Sequence, residues 1–570
     1  MFVVVWDDYG MAKGYRPVAR DQQFLLPPDM REWLPADHPV HLVIDVVAGH
    51  LDTSAFHASR RTGGAGAAGF DPDMLVTLLI WAYANRVTSS RRIEALCRTD
   101  VAFRVICAGD VPDHATIARF RAGFADAVPG LFAQVLILCA RLGMGRVGVV
   151  ALDGTKVAAS ASKAANRTGE RLRELAAEAV AAHAAADAAE DGQFGQARGD
   201  EVPAPLASPR SKAAAADRAA RISKALADLE AGREAAEKEQ AERDRKVAAY
   251  RAGLEAGRVP AGKPPAGAEA AAARVRAGRA QAAQAARVAA WEQRRAAQDA
   301  AGIKRGPGGS RPLPPDRNAK VARAWQAAAD AEARAAERDR EAAGKKARGP
   351  GPVANLTDPD SRLMPTRNGF IQGYNAQNVA SEDGLIIATE LTAGTTGMAW
   401  FEPMTGKAGD AARLIASHQP APAGASADGG EDEGKGGSPI GLVLADAGYC
   451  SEDNLACAGP DRLIATGKHR NLEKAARGKA SDGLRQAGAR TRAMTGRLKT
   501  GDGIAAYRRR GHIAETPHGH IKHDMGFRQL TMRGKDKAAA EWRLVCTVHN
   551  LLKAITAGKL TTQALAGLTA

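Results

Sequence analysis

The amino-acid sequence predicts an α/β fold in which a sheet-based core is joined to an N-terminal helical domain and interrupted by a long charged helical insertion. Three observations carry that prediction. Two apolar runs of strand length, residues 147–153 (VGVVALD) and 440–446 (IGLVLAD), each end in an aspartate. The residues before the first run are patterned as helices. Between the runs lies a block dominated by Ala, Arg, Glu, Lys and Asp. The expected boundaries are 1–145 for the helical domain, 146–156 for the first core strand, 157–360 for the insertion and 361–570 for the rest of the core.

In the first segment Asp71-Pro72-Asp73 can open a helix, with Met74, Leu75, Leu78, Leu79 and Tyr83 near the helical repeat. Ser89 or Ser90 offers an N-cap for the next, through Ile93 and Leu96. A third begins at Asp113, where Ile117, Phe120 and Phe124 form an apolar face and Arg119 and Arg121 lie off it. Short helices ending in one with arginines suit a helix-turn-helix-like DNA reader, and equally any small helical domain of a basic protein. In the insertion, high helix propensity and the stripe Ile222, Leu226, Leu229 predict long helices, such as a coiled-coil hairpin, with Gly/Pro breaks near 203–209, 256–266 and 302–316. A partly disordered, solvated Ala-rich block is the alternative reading of that composition.

Beyond 361, residues 370–379 and 385–391 read as strands, 402–417 as a helix and 423–438 as an exposed loop. Residues 463–465 suggest a further short strand, 468–502 basic surface loop and helix, and 513–552 helix.

With 79 Lys+Arg against 64 Asp+Glu, the chain has a formal charge of +15, and a polyanion is the first partner to consider. Apolar residues at 45% and charged ones at 25% exclude disorder throughout. The apolar stretches near 74–81 and 131–140 are shorter than a membrane span, and no export signal is read at the start. The six cysteines form no CxxC pair, which suits reduced thiols and a cytoplasmic location. Cys450 and Cys457 are expected as core thiols in a helix next to Asp446.

Strand ends in an open α/β sheet are where ligand crevices form, so Asp153 and Asp446 converge if their strands are neighbours. A third acid, Glu515, opens ETPHGHIK and follows Arg508-Arg509-Arg510. Three carboxylates in one site repel unless a cation neutralises them, and hard oxygen ligands select Mg²⁺ or Mn²⁺. Two such ions about 4 Å apart can activate a water or a 3′-hydroxyl for phosphoryl displacement. Taken singly, an Asp-Gly after a strand is more often a plain turn, and an Arg run a solvated face. His512, His518, His520 and His523 crowd Glu515 but match no zinc spacing, and no phosphate loop is present.

As an ordered set, LDGTK at Asp153, GFIQGYNAQ at 369–377, LADAGYCSEDNL at Asp446, YRRR, AETPHGHIK and GFRQLTMRG with EWRLVCTVHNLLK resemble bacterial DDE transposases of the IS1182 group, in the IS4/IS5-like superfamily. The resemblance spans nearly the whole chain, including FDPDMLVTLLIWAYANRVTSSRRIEAL and PDHATIARFR. It implies an RNase H-like core with Asp153, Asp446 and Glu515 as metal-binding catalytic triad and two Mg²⁺ (or Mn²⁺) ions. It also implies double-stranded DNA as partner, as terminal inverted repeats and as target, and a homodimer in a synaptic complex. The Tyr-Arg-Glu-Lys signature maps onto Tyr507, Arg510, Glu515 and Lys522, with four residues between Arg510 and Glu515 where three are common. Lys522 would share a helix face with Glu515 two turns on and reach a phosphate, a structural salt bridge being its other reading. Arg119 and Arg121 are the candidate DNA contacts of the helical domain, and the insertion is a candidate dimer interface. Residues 391–404 depart from the pattern by lacking the acids that relatives carry there, apart from Glu402. A non-catalytic DNA-binding or nucleoid-associated protein, and a metal-dependent nuclease without strand transfer, are the rival readings.

Overall fold

The computed structural model describes residues 29–58, 69–178, 181, 209–258, 264–302, 310–348, 352–420, 439–467 and 487–569. Two compact units divide the chain, one of Met1–Met144 with Thr547–Ala570 and one of Gly145–Cys546. The last residues thus group away from the core to which the sequence reading assigns 361–570.

The first unit runs through helices α1 (Pro39–His50), α2 (Ser54–His57), α3 (Pro72–Ala84), α4 (Ser90–Thr99), α5 (Val101–Ile106), α6 (His114–Gly123) and α7 (Val128–Arg141). Caps set the starts. Asp71 accepts from the Asp73 N–H ahead of Pro72, and Asp113 accepts from Ala115 and Thr116. Because α3 is apolar all round, every residue from Leu75 to Tyr83 is buried. Among the described residues no single helix is long and apolar enough to cross a membrane.

The second unit is a mixed α/β structure. Its strands are β1 (Val149–Ala158), β2 (Asn166–Thr168), β3 (Val353–Asn355), β4 (Arg362–Thr366), β5 (Gly369–Ser381), β6 (Ile386–Thr392), β7 (Leu442–Ala445) and β8 (Asp461–Ile464). β1 is central: it pairs antiparallel with β5 and parallel with β7, which pairs parallel with β8. β4 and β6 both run antiparallel to β5, β4 along its first residues and β6 along its last. β1 does not stop at Asp153, as the Asp-Gly pair suggests, but continues to Ala158. β4 escapes the sequence reading because it is short, contains Pro365 and lies along an edge of β5.

Further helices are α8 (Pro209–Glu255), α9 (Glu269–Ala300), α10 (Ala319–Arg348), α11 (Phe401–Ala416), α12 (Glu452–Ala456), α13 (Ala489–Leu498), α14 (Gly501–Gly519), α15 (Lys535–Thr556) and α16 (Thr562–Thr569). On one face of the sheet Ala151, Ala380, Leu444 and Leu463 pack with Leu498 of α13 and with Ile513 and Ala514 of α14. α11 packs on β5, β6 and β1, burying Phe401, Met404, Ala408, Ala412 and Ile415 at helical spacing. Trp542 is fully buried, and its indole N–H donates to Thr389 Oγ1 at 2.9 Å and to Asn378 Oδ1 at 3.3 Å. Cys97, Cys107, Cys139 and Cys546 are buried, whereas Cys450 and Cys457 flank α12 and are only half-buried, because that helix is too short to enclose them.

Between β2 and β3 the described part of the insertion is mainly helical. α9 and α10 lie antiparallel, as Glu269 with Arg338, Gln281 with Trp325 at 2.9 Å and Gln284 with Leu313 at 2.6 Å require. Its Gly/Pro breaks fall largely outside the described residues, as do the expected loop at 423–438 and residues 468–486.

Trp542→Ala removes both a large buried ring and the donor shared by Asn378 and Thr389. It is expected to cost about 3–5 kcal/mol in urea unfolding of the full chain; an effect under about 1 kcal/mol would mean that the indole does not brace the sheet.

Candidate active site

β1 and β7 are in register from Val149 opposite Leu442 to Leu152 opposite Ala445, so the next residues, Asp153 within β1 and Asp446 just past the end of β7, stand beside each other. Side chains alternate along extended backbone. Asp153 therefore shares the face of Ala151 and Asp446, itself extended, that of Leu444, and this is the face covered by α13 and α14. Each carboxylate is steadied locally: Asp153 Oδ1 accepts the Gly154 N–H and Asp446 Oδ1 the Gly448 N–H, both at 2.8 Å.

α14 brings the cation. Arg510 Nη2 lies 3.1 Å from Asp153 Oδ2, and Nη1 lies 4.0 Å from Glu515 Oε1. The guanidinium is 13% exposed, Asp153 18% and Glu515 72%, so the third acid stands at the rim. Among the described residues the three carboxylates are not all within 4.8 Å of one another. Burial pushes Asp153 up to about 6; Arg510 opposes the rise, while the neighbouring Asp446 and Glu515 add to it. Arg510 is itself raised: burial works against its charge, but Asp153, Tyr507, Asp446 and Glu515 together outweigh burial. Tyr507, one turn before, is pushed up to about 12, chiefly by burial, with Arg510 opposing and Asp446 and Asp153 adding. Its phenol is a neutral hydrogen-bonding group at ordinary pH. Of the remaining arginines in the run, Arg509 pairs with Glu382 at 2.6 Å.

Lys522 does not follow from Glu515 along a regular helix. Pro517 lies inside α14, and the chain then winds into a π-turn at His520–Asp524, which changes the direction of every later side chain. The ammonium donates to Thr155 Oγ1 and to the Lys156 carbonyl, the latter at 3.0 Å. It is thus held on β1 two residues from Asp153, and the salt bridge to Glu515 weighed from the spacing is replaced by these bonds. Burial lowers its pKa, as does Arg528, with Asp153 opposing. Thr155 went unnoticed in the sequence, although its place two residues after Asp153 puts it on the same face. The loop that lacks acids supplies backbone instead, with the Thr395 carbonyl accepting from Lys156 Nζ at 3.1 Å.

Among the described residues His512, His518, His520 and His523 belong to no group of three metal-capable side chains within 4.8 Å; His518 Nε2 meets Asn378 Nδ2 at 3.1 Å. The group that does, His57, Asp71 and Asp73, is in the first unit, where Asp71 caps α3 and His57 pairs with Asp73 at 2.8 Å. On α6, Arg119 is exposed and, among the described residues, bonds within its own helix, to Ala115 O and Thr116 Oγ1. Arg121 turns inward: Nη1 donates to Thr88 O at 2.5 Å and to Tyr83 Oη at 3.4 Å, and Nη2 to Ser90 Oγ at 3.3 Å. Those bonds tie α6 to the α3–α4 turn and leave Arg119 as the one of the two that faces solvent.

Two family models match the chain: Transposase domain (DUF772) over residues 28–123, and Transposase DDE domain over residues 473–555. These matches support a DDE transposase of the IS1182 type. The first match covers the helices through α6, with Arg119 and Arg121, and the second covers Tyr507, Arg510, Glu515 and Lys522. Asp153 and Asp446 lie outside both. No curated protein and no solved structure matches the chain. Transposases bind DNA, and the DDE family generally uses divalent metal ions; this chain has a carboxylate pair and a cationic helix in the second unit.

A carboxyl whose pKa rises on folding favours the folded state while protonated. Its contribution is complete below the ordinary value of 3.8 and is lost as pH rises through about 6. Asp153→Asn, which cannot ionise, is therefore expected to match the wild type in stability near pH 4 and to exceed it at pH 8, by on the order of 1–3 kcal/mol. Denaturant unfolding across that range checks this; a gap independent of pH would refute it.

Proposed function

We propose that the chain cuts the ends of an insertion sequence and joins them to target DNA, with Asp153, Asp446 and Glu515 as the metal-binding catalytic triad of an RNase H-like core. One observation carries the reading: two aspartates, one within β1 and one just past the end of the neighbouring parallel β7, lie on the face that α14 covers with Arg510 and Glu515. The strand order β6-β5-β1-β7-β8, with β5 reversed against β1, supports the RNase H-like assignment.

The residues fit a divalent cation chemically. The donors are carboxylate oxygens, and Asp153 is hard to ionise because burial disfavours its charge and because Asp446 and Glu515 stand near it, a penalty that bound positive charge removes. Asp153 and Asp446 would hold two Mg²⁺ or Mn²⁺ ions, with Glu515 completing the shell; bound there, the ions supply an activated water or 3′-hydroxyl and stabilise the leaving oxygen. Arg510 neutralises the acids and is poised to take a phosphate oxygen in a forked hydrogen bond. Lys522, fixed to Thr155 and Lys156, presents a second positive charge to the scissile phosphate. Tyr507 keeps its proton and donates to DNA rather than acting as a base. Arg119 contacts DNA phosphates from the helical unit. Paired element ends require a homodimer in the synaptic complex, with the 157–360 helices as its interface.

With a labelled element end and Mg²⁺, the wild type is expected to cleave and to yield joined products with a plasmid target. Asp153→Asn and Asp446→Asn are expected to abolish cleavage while end binding stays within a few fold, because phosphate contacts are untouched. Cleavage by either variant at the wild-type rate would end the triad assignment, and cleavage without joined products would leave a nuclease.

Arg119→Ala is expected to weaken end binding and to lower the slope of log K against log salt by about 1, with thermal stability unchanged. Arg121→Ala is expected to lower thermal stability instead. The reverse pattern would exclude Arg119 from the DNA contact.

A further inference from the structure

Asp446 has no strand beyond it to hold its position, since β7 ends at Ala445 and the chain turns through Ala447–Tyr449. What anchors that turn lies on the far side of β1. Tyr449 is 2% exposed, and its phenol donates to Gln377 Oε1 on β5. Since β1 lies between β5 and β7, this bond spans the strand that carries Asp153. Its path runs by Gly154, the register partner of Gln377: a Cβ on Gly154 would come within 2.7 Å of Gln377 Nε2 and 3.1 Å of Asn375 Oδ1. Gly397 makes similar room at the other end, where a Cβ would meet Tyr449 Cε1 at 2.7 Å. Asn454 Nδ2 closes the arrangement by donating to the carbonyls of Tyr449 and Met398, both at 2.8 Å.

Gln377 itself is wholly buried, and its Nε2 has no hydrogen-bond partner among the described residues. An unmet buried amide is a cost that an apolar side chain of similar size would avoid. The bond to Tyr449 is the one thing this side chain contributes that a leucine could not.

We infer that Gln377 and Tyr449 are positioning residues whose hydrogen bond ties the Asp446 turn to β5 across β1 and so sets the spacing of Asp446 from Asp153. The inference rests on reading those two aspartates as cation ligands. Burial, with Asp153 and Asp446 adding, raises the Tyr449 pKa, so the phenol keeps the proton it donates.

The test is a Mn²⁺ titration of the full chain followed by electron paramagnetic resonance, read beside thermal unfolding. Tyr449→Phe keeps the ring against Phe401 and loses only the hydroxyl. It is expected to bind Mn²⁺ about tenfold more weakly, as loss of an outer partner of a metal ligand does, with a melting temperature close to the wild type's. Gly154→Ala, which pushes on Gln377, is expected to weaken binding similarly, and to add nothing in a Gln377→Ala background, where the bond is already gone. Mn²⁺ binding by Tyr449→Phe equal to the wild type's, but lost in Asp153→Asn, would overturn the clamp alone. Equal binding by the wild type and Asp153→Asn would overturn the reading of the carboxylates, and the clamp with it.

Discussion

β1 and β7 run parallel and in register, so Asp153 within β1 and Asp446 just past the end of β7 belong to neighbouring strands, which in a sheet lie about 4.8 Å apart. Asp153 cannot shift without undoing the pairing that buries Val150, Leu152, Val443 and Leu444 at 0% exposure. The rest of the site answers to that proximity. Two acids so placed, one of them raised to about 6, need positive charge close by. α14 provides it with a guanidinium that reaches Asp153 on one side and Glu515 on the other. A lysine in place of Arg510 could not make both contacts from one planar group.

Such a site is a burden on the fold that bears it, and the surrounding structure is organised accordingly. β5 places Asn375, Gln377 and Asn378 in the interior, at 0–4% exposure, where a sheet would ordinarily bury aliphatic side chains. Asn378 is satisfied by Trp542, Thr389 and His518. Asn378 is also the register partner of Asp153, so the indole braces the strand position that carries the first acid. On the other side of β1, the bond from Tyr449 to Gln377 spans from β5 to the turn after β7. Polar residues in the middle of a sheet are costly unless paired, and here the pairings converge on the backbone that holds Asp153 and Asp446.

The parts of this arrangement that could be read from the sequence are those written in local pattern. The apolar runs before Asp153 and Asp446 are strands because parallel strands covered on both faces need nearly continuous apolar residues, and the cap at Asp113 starts α6 where it should. Other features depend on contacts between distant residues. The residues that α9 and α10 bury include Ala272, Ala277, Ala328 and Ala331, side chains too small to raise an apolar stripe above the charged background, so the composition alone left long helices and a disordered block as alternatives. Arg121 looked like its neighbour Arg119 until α6 was seen beside the carbonyl of Thr88. Lys522 could not be placed by counting turns, since a single π-turn redirects it from Glu515 to Thr155. Gly154 after Asp153 suggested a turn, yet the strand runs on through it, and the glycine serves instead to make room for an amide from β5.

The same reasoning explains how so long an insertion can sit immediately after the first acid. β2 and β3 pair over Asn166 with Asn355, Arg167 with Ala354 and Thr168 with Val353, so the chain leaves and re-enters at one place. Asn355 strengthens the closure, its Nδ2 donating to Ser162 O at 2.8 Å and to Asn166 Oδ1 at 2.9 Å, while its Oδ1 receives the Thr357 and Asp358 N–H groups. The base of α8 is pinned just beyond by Lys224 with Asp360 at 2.6 Å and by Leu172, Ala225 and Ala354 in one small core. Closing a loop costs only slowly more entropy as its length grows, so once those two ends are stapled the intervening helices can lengthen at little cost to the fold. What cannot be lengthened is the stretch from Asp153 to Asn166, since Thr155, Lys156 and Ala158 are held to Lys522 and to the chain around Gln529. The insertion therefore begins as close to the catalytic strand as the hydrogen bonds of that strand allow.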